Sequence, residues 1–437
     1  MPPLTRRRFD QTSARIFPAD DIMIDRFLNN RQQALLALAV TAMPGVQRAL
    51  LVLMVQFYYG LVSLGRFTND LSIVFVLTHF TAIGWASLIL VRVPSSEGLE
   101  RLLVIRRLLR FIVPILGIAV LIIMGFGILG IAFQPLFMTS LLVGWTGYQL
   151  IRHFFIALRD YQSLLRIDLL CTGCMAALLL WPDNRIDPLV AMGMPLSALA
   201  AAGLLHVMYR SQQRRTRAGS ESGKDLTSGM QFGMANFLSD GIILLLAPLA
   251  NLLAGPAYAG LIGLVLSGLG ILLLFPRALT MHHIPDLARA NKEAPSEFVA
   301  VYRSFRRILL GLLSLIAVAL LVIATIGGPL LFPEAISLKH AWLIFVLLLA
   351  NTVVGQMGVP DSSRLMVKEQ GRLMMKINGA AFALFGVLIA VLCLMPSDAA
   401  ILVWLLGGQV AISGMRCAWL NVHARRMQYG RFAASAT

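Results

Sequence analysis

The chain has 437 residues, of which 58% are hydrophobic and only 13% charged, and its mean hydropathy is +0.78. A soluble domain is about 25% charged, so this composition excludes an ordinary water-soluble fold; apolar runs of about 20 residues exclude a membrane barrel, whose strands are about 10 residues long and alternate. The net charge of +16 would suit nucleic acid, but most Lys and Arg fall in alternate connecting segments, as the positive-inside rule predicts, so no nucleic-acid partner is expected.

Thr5-Arg6-Arg7-Arg8-Phe9 is superficially like a twin-arginine export signal. The sequence behind it carries Asp10, Asp20, Asp21 and Asp25 instead of a short apolar region. Residues 1–32 are therefore expected to form an uncleaved cytoplasmic segment, with a surface helix around 21–28. Twelve apolar spans follow, at roughly 34–59, 68–91, 109–132, 135–157, 162–181, 188–209, 228–251, 256–279, 308–328, 340–359, 377–395 and 399–420. The predicted fold class is an all-α, polytopic membrane protein of about 12 transmembrane helices.

Twelve crossings put both termini on one side. Basic clusters lie before Ala34, between Arg92 and Arg110, Arg152 and Arg166, Arg210 and Lys224, Arg277 and Arg307, Arg364 and Lys376, and after Arg425; the opposite segments hold only Arg66, Arg185 and Lys339. This asymmetry makes both termini cytoplasmic. The outer loops are short, and the longest inner one is expected at about Met281–Arg307. Ser211–Lys224 (SQQRRTRAGSESGK) falls after six spans and has the composition of a flexible linker. The expected division is an N-lobe at 33–210, a linker at 211–226, a C-lobe at 227–420 and a cytoplasmic tail at 421–437.

A few polar residues break the apolar pattern. Asn236 and Asp240 share a face of the seventh span, and an ionisable group in hydrocarbon costs about 2.5–3.5 kcal/mol unless it faces a cavity or a partner. Arg48 is deep in the first span, just after Pro44 and Gly45, which can break a helix. Its guanidinium suits a phosphate; snorkelling or a structural ion pair is the plainer alternative. Arg277, His282 and His283 sit at the inner end of the eighth span, placed to draw a phosphate or to anchor the helix at the interface. Asp70, His79, Gln149, Asn351, Gln356 and Gln409 read as helix–helix hydrogen-bonding groups, and Arg416 as a snorkelling side chain. Cys171-Thr-Gly-Cys174 has CxxC spacing but no second ligand pair, so no metal is expected. Walker, HExxH and GxSxG motifs do not occur in the sequence, and neither an enzyme nor a cofactor is expected.

Three stretches resemble the multidrug/oligosaccharidyl-lipid/polysaccharide (MOP) flippase superfamily, and its Wzx-type polysaccharide members most. Leu253-Ala254-Gly255-Pro256-Ala257-Tyr258-Ala259-Gly260 resembles the family's turn between helices seven and eight. Pro285-Asp286-Leu287-Ala288, followed by Tyr302-Arg303, resembles its cytoplasmic loop after helix eight. Gly358 to Asn378 (GVPDSSRLMVKEQGRLMMKIN) is similar to its loop between helices ten and eleven. The first half departs from the pattern, with Asn69-Asp70 where the family usually has Gly. Gly45-Val46-Gln47-Arg48 is nevertheless similar to a Gly-x-x-Arg pattern in the first helix of the family's lipid-linked-precursor flippases.

The resemblance implies two six-helix lobes around a central cleft (MATE/MOP-like). It implies a flippase moving a polyprenyl-diphosphate-linked oligosaccharide across a bacterial inner membrane by alternating access. Arg48, Asn236 and Arg277 would bind substrate, and Asp240 would couple to a proton or Na⁺. An Arg48–Asp240 pair across the cleft is part of this expectation, as are a polysaccharide polymerase and glycosyltransferases as partners. Two alternatives stay open: a cation-coupled drug antiporter of the same superfamily, and a membrane polysaccharide polymerase or ligase, for which the outer loops are too short.

Overall fold

The computed structural model describes residues 31–94, 96, 98–181, 186–212, 222–274, 276, 279–280, 283, 287, 290, 295–368, 370–395 and 398–434. All regular structure among these residues is helical. The first element, α1 (Arg31–Thr78), departs from helical geometry only at Gly60, with φ 77° and ψ 175°. A side chain there would be strained, and the chain reverses at this residue. Gly45, before the kink, lies against Leu274, and Gly65, after it, lies against Pro256, so both arms run beside the same later helix. The outer loop expected at 60–67 is thus a one-residue turn. Leu61, Leu64 and Phe67 are buried in helix–helix contact, which holds them helical.

The second arm runs on through a π-helical turn (His79–Ile83) into α2 (Gly84–Arg92). The first half then continues with α3 (Glu100–Ile128), α4 (Pro135–Ala157), α5 (Tyr161–Leu179) and α6 (Pro188–Gln212). The second half comprises α7 (Ser222–Ala254), α8 (Pro256–Leu272), α9 (Pro295–Leu331), a short α10 (Pro333–Ile336), α11 (Ala341–Met357), α12 (Val359–Val367), α13 (Gly371–Leu392) and α14 (Ala399–Ala434).

Eight helices among the described residues are long and apolar enough to cross a membrane. The first of these, Leu36–Leu90, has 55 residues and doubles back at Gly60, which makes two crossings. The two parts of α7, Leu226–Ser239 and Gly241–Ala254, are inclined by 60°. The apolar stretch Pro256–Gly270 is shorter, and α4, with 23 residues, reaches about 35 Å against a hydrocarbon core of about 30 Å. Every one of the twelve expected spans therefore has its helix. The α1–α2 hairpin is central, 67% buried over its most apolar window, whereas α3 and α9 are 17% and 11% buried and present most of their surface outward.

Two expected inner loops are helical. α9 starts at Pro295, well before the apolar run at 308. Phe298, Tyr302, Phe305, Leu309 and Leu313 are buried at helical spacing, so the basic segment is the polar face of an amphipathic helix. Glu297 in the first turn suits the positive end of that helix. The Gly358–Asn378 stretch forms α12 and the start of α13, with Pro360, Asp361, Ser363, Arg364 and Leu365 buried. The linker expected at 211–226 lies largely outside the described residues, and the tail expected from 421 continues α14.

The halves meet along a line of small residues, as close-packed membrane helices do. A Cβ on Gly65 would fall within the carbonyl of Pro256, and one on Gly84 would fall within that of Gly229. Thr68 Oγ1 donates to Ala259 O at 3.2 Å across the same seam.

Candidate functional site

Pro44 and Gly45 do not break α1, contrary to expectation; the helix carries Arg48 straight into the interior. The Arg48 guanidinium carbon lies 5.4 Å from the centroid of the Phe75 ring on the returning arm. Phe75 packs on Trp145 at 4.9 Å, and Trp145 on Tyr148 at 5.5 Å. Arg48 Nε is buried and has no hydrogen-bond partner among the described residues. An aromatic face offers a cation part of what water would, about 0.5–2 kcal/mol; the N–H donors stay available.

The neighbouring residue, Gln47, points into a buried polar cluster that the sequence reading missed. Gln47 Nε2 donates to Asp168 O at 3.2 Å and to Thr172 Oγ1 at 3.0 Å. The Asp168 carboxylate accepts the Tyr148 hydroxyl at 2.6 Å and faces Arg152 at 3.7 Å. Arg152 also donates to Val40 O, which closes a ring of contacts joining α1, α4 and α5. The charge count had placed Arg152 in a cytoplasmic connection, but it is buried inside α4. Two signals were available: an aspartate inside the apolar span 162–181, and Tyr148 and Arg152 on one face of one helix.

Of the expected residues on α7, Asn236 is half-buried, and its carbonyl accepts the Ser239 hydroxyl at 3.1 Å. The next residue, Phe237, joins the halves: its ring lies 6.1 Å from His79, 5.4 Å from Phe80 and 5.0 Å from Phe382 on α13. His79 opens the π-helical turn, a feature that often marks a functional stretch. Arg48 and Asn236 are thus brought to the same region through Phe75, His79 and Phe237, without a direct contact. Asp240 falls at the elbow between the inclined parts of α7, and its side chain lies outside the described residues. Arg277 and His282 lie outside them altogether. His283 is buried and stacked on Phe305 at 4.9 Å, which makes it a core residue, not a phosphate ligand at the mouth.

The remaining polar residues serve the scaffold. Asp70 accepts the backbone N–H groups of Phe133 and Gln134 at 2.9–3.2 Å and the Asn69 amide at 2.9 Å, holding the entry to α4. Asn69-Asp70 thus has a role of its own where the family pattern has Gly. Ser413 bridges Gln409 and Asn351, as expected of helix–helix bonds. Arg416 does not snorkel: its Nε donates to Asn378 Oδ1 at 2.8 Å. Asp361 accepts from Tyr302 and Asn421. The carboxylates of Asp70 and Asp361 are therefore hydrogen-bonded and that of Asp168 is both hydrogen-bonded and paired in charge with Arg152, whereas Arg48 has no carboxylate partner among the described residues.

No family model matches the sequence, and no curated protein matches it. Solved structures do. A MOP superfamily transporter from Pyrococcus furiosus has a TM-score of 0.61 at 13% identity, over 90% of this chain and 96% of that one. A multidrug resistance MATE family transporter of the MOP superfamily has a TM-score of 0.60 outward-facing and 0.56 inward-facing, each at 14% identity over 91% of this chain and 96% of that one. The chain has the two-lobed helical fold of these transporters.

Proposed function

We propose that the protein is a membrane transporter of the MOP superfamily that carries an anionic lipid-linked substrate by alternating access. The specific reading is a flippase for a polyprenyl-diphosphate-linked oligosaccharide in a bacterial inner membrane. One observation carries it: among the described residues, Arg48 is a deep cation whose buried Nε has neither a hydrogen bond nor an ion pair, whereas Asp70 and Asp361 accept protein hydrogen bonds and Asp168 faces Arg152. A site of that sign attracts a phosphate and repels a cationic drug. In this reading Arg48 holds the diphosphate with its planar fork, Asn236 meets the polar headgroup, Arg277 draws it in at the cytoplasmic mouth, and Asp240 couples the elbow of α7 to a proton or Na⁺.

Drug export coupled to a cation is the competing reading, because structures of this fold include multidrug resistance transporters. The fold admits more than one site chemistry: the Pyrococcus furiosus transporter is described as having a binding pocket of reverse polarity that suggests a different function. The deciding experiment depletes the protein in its host. The flippase reading expects lipid-linked oligosaccharide to accumulate and surface polymer to disappear, with drug tolerance unchanged. Normal polymer together with raised drug sensitivity would overturn it in favour of export.

A further inference from the structure

A second charged site stands apart from the meeting of the halves. A cleft of about 600 Å³ opens between the first turns of α9 and the end of α14. Arg303, Arg306 and Arg307 line it from α9, and Arg425 lines it from α14. None of the four has a hydrogen bond or an ion pair with a described residue. Asp361, behind the cleft wall, is 3% exposed, accepts from the Tyr302 hydroxyl and from Asn421, and forms no ion pair with any of the four.

Three like charges at i, i+3 and i+4 on one helix face repel. Topology requires cations on this side of the membrane, but not their convergence with a fourth from another helix. Leu310 closes the cleft one turn beyond, and Ile308 begins the outward-facing apolar stretch, at 46% exposure. The guanidinium groups therefore sit where the polar and apolar parts of α9 meet, the depth at which lipid phosphates lie. A phosphodiester carries one charge and would leave most of the four unpaired; a diphosphate carries more charge and more acceptor oxygens, so it can engage guanidinium groups from both helices at once.

We propose that the α9–α14 cleft is a docking site for the diphosphate head of a polyprenyl lipid, occupied before the lipid enters the space between the lobes. The proposal rests on the flippase reading for its substrate class but names a site distinct from Arg48. The test uses the full chain in phosphatidylcholine nanodiscs and calorimetric titration with farnesyl diphosphate. Two binding events per chain are expected, with R306Q/R307Q removing one and R48A the other. R306K/R307K keeps charge and insertion but loses the planar fork, and its binding at the cleft should weaken about tenfold. Unchanged binding in R306Q/R307Q would overturn the docking site. Equal displacement of the probe by inorganic pyrophosphate would overturn a lipid-borne ligand, and equal displacement by phosphatidylglycerol would reduce the cleft to a contact for bulk anionic lipid. If R48A removes nothing while R306Q/R307Q still removes one event, the docking site stands and the central role of Arg48 falls.

Discussion

Arg152 Nε and Asp168 Oδ2 face each other at 3.7 Å, with side-chain exposures of 8% and 0%. The distance is that of a charge contact without a hydrogen bond. What the pair contributes is registry: it joins α4 to α5, and Arg152 ties both to the first helix through Val40 O. A buried pair often adds little net stability over apolar residues of the same size, but removing one partner strands the other charge. D168L and R152M are each expected to cost about 3–5 kcal/mol, and R152M/D168L clearly less than the sum of the two. Thermal unfolding of the four proteins in one detergent checks this. A double variant as unstable as the sum would show that the two residues do not act as a pair.

Asp70 carries a different expectation. Its carboxylate accepts two backbone N–H groups at the start of α4, so D70A leaves buried donors unsatisfied at about 1–3 kcal/mol. Because Asp70 serves the scaffold, transport per folded molecule should be unchanged while the melting temperature falls. A transport defect at full stability would move Asp70 from scaffold to site.

The apolar helices were legible because hydrocarbon admits little else. What stayed hidden was non-local. Asp70 caps a helix that begins 64 residues later by contact with Gln134, and no local pattern announces that. A loop at 60–67 was legible from Arg66; that Leu61, Leu64 and Phe67 pack helically and leave the turn to Gly60 alone depends on helix–helix contacts the sequence does not show. Arg152 was misplaced because counting charge by connection cannot see a partner on another helix. Arg48 stood out in the sequence because a lone guanidinium in an apolar helix is conspicuous. Its platform, Phe75, is one aromatic among 23 phenylalanines.

The seam between the halves yields a test of motion. A Cβ on Gly263 would lie 2.8 Å from Thr68 Cβ, closer than the usual disulfide separation of about 3.5–4.5 Å, so the two helices must ease apart by somewhat under an ångström for a bridge to form. With Cys171, Cys174, Cys393 and Cys417 replaced by serine, T68C/G263C should cross-link once the seam eases by that amount. If the halves part along this seam during transport, oxidation should stop the cycle and reduction restore it. Full transport by the oxidised protein would place the moving surface elsewhere. G65A, whose new methyl has no room beside Pro256, is expected to cost about 1–3 kcal/mol and to lower the cross-linking yield.

Arg48 separates function from stability most cleanly. Its Nε is buried without a hydrogen-bond partner among the described residues, and the Phe75 face compensates only part of its lost hydration. Removing such a charge should relieve the fold, whereas removing a structural ion-pair member should damage it. R48M, which keeps most of the length and loses the charge, is therefore expected to raise the melting temperature and to abolish transport of a polyprenyl-diphosphate oligosaccharide in proteoliposomes. R48K should retain stability near the parent and lose about tenfold in transport, because a point charge replaces a planar two-pronged donor. The direction of the R48M stability change carries the decision. A fall of several degrees with transport retained would make Arg48 a scaffold residue, and the anionic-substrate reading would lose the observation on which it stands.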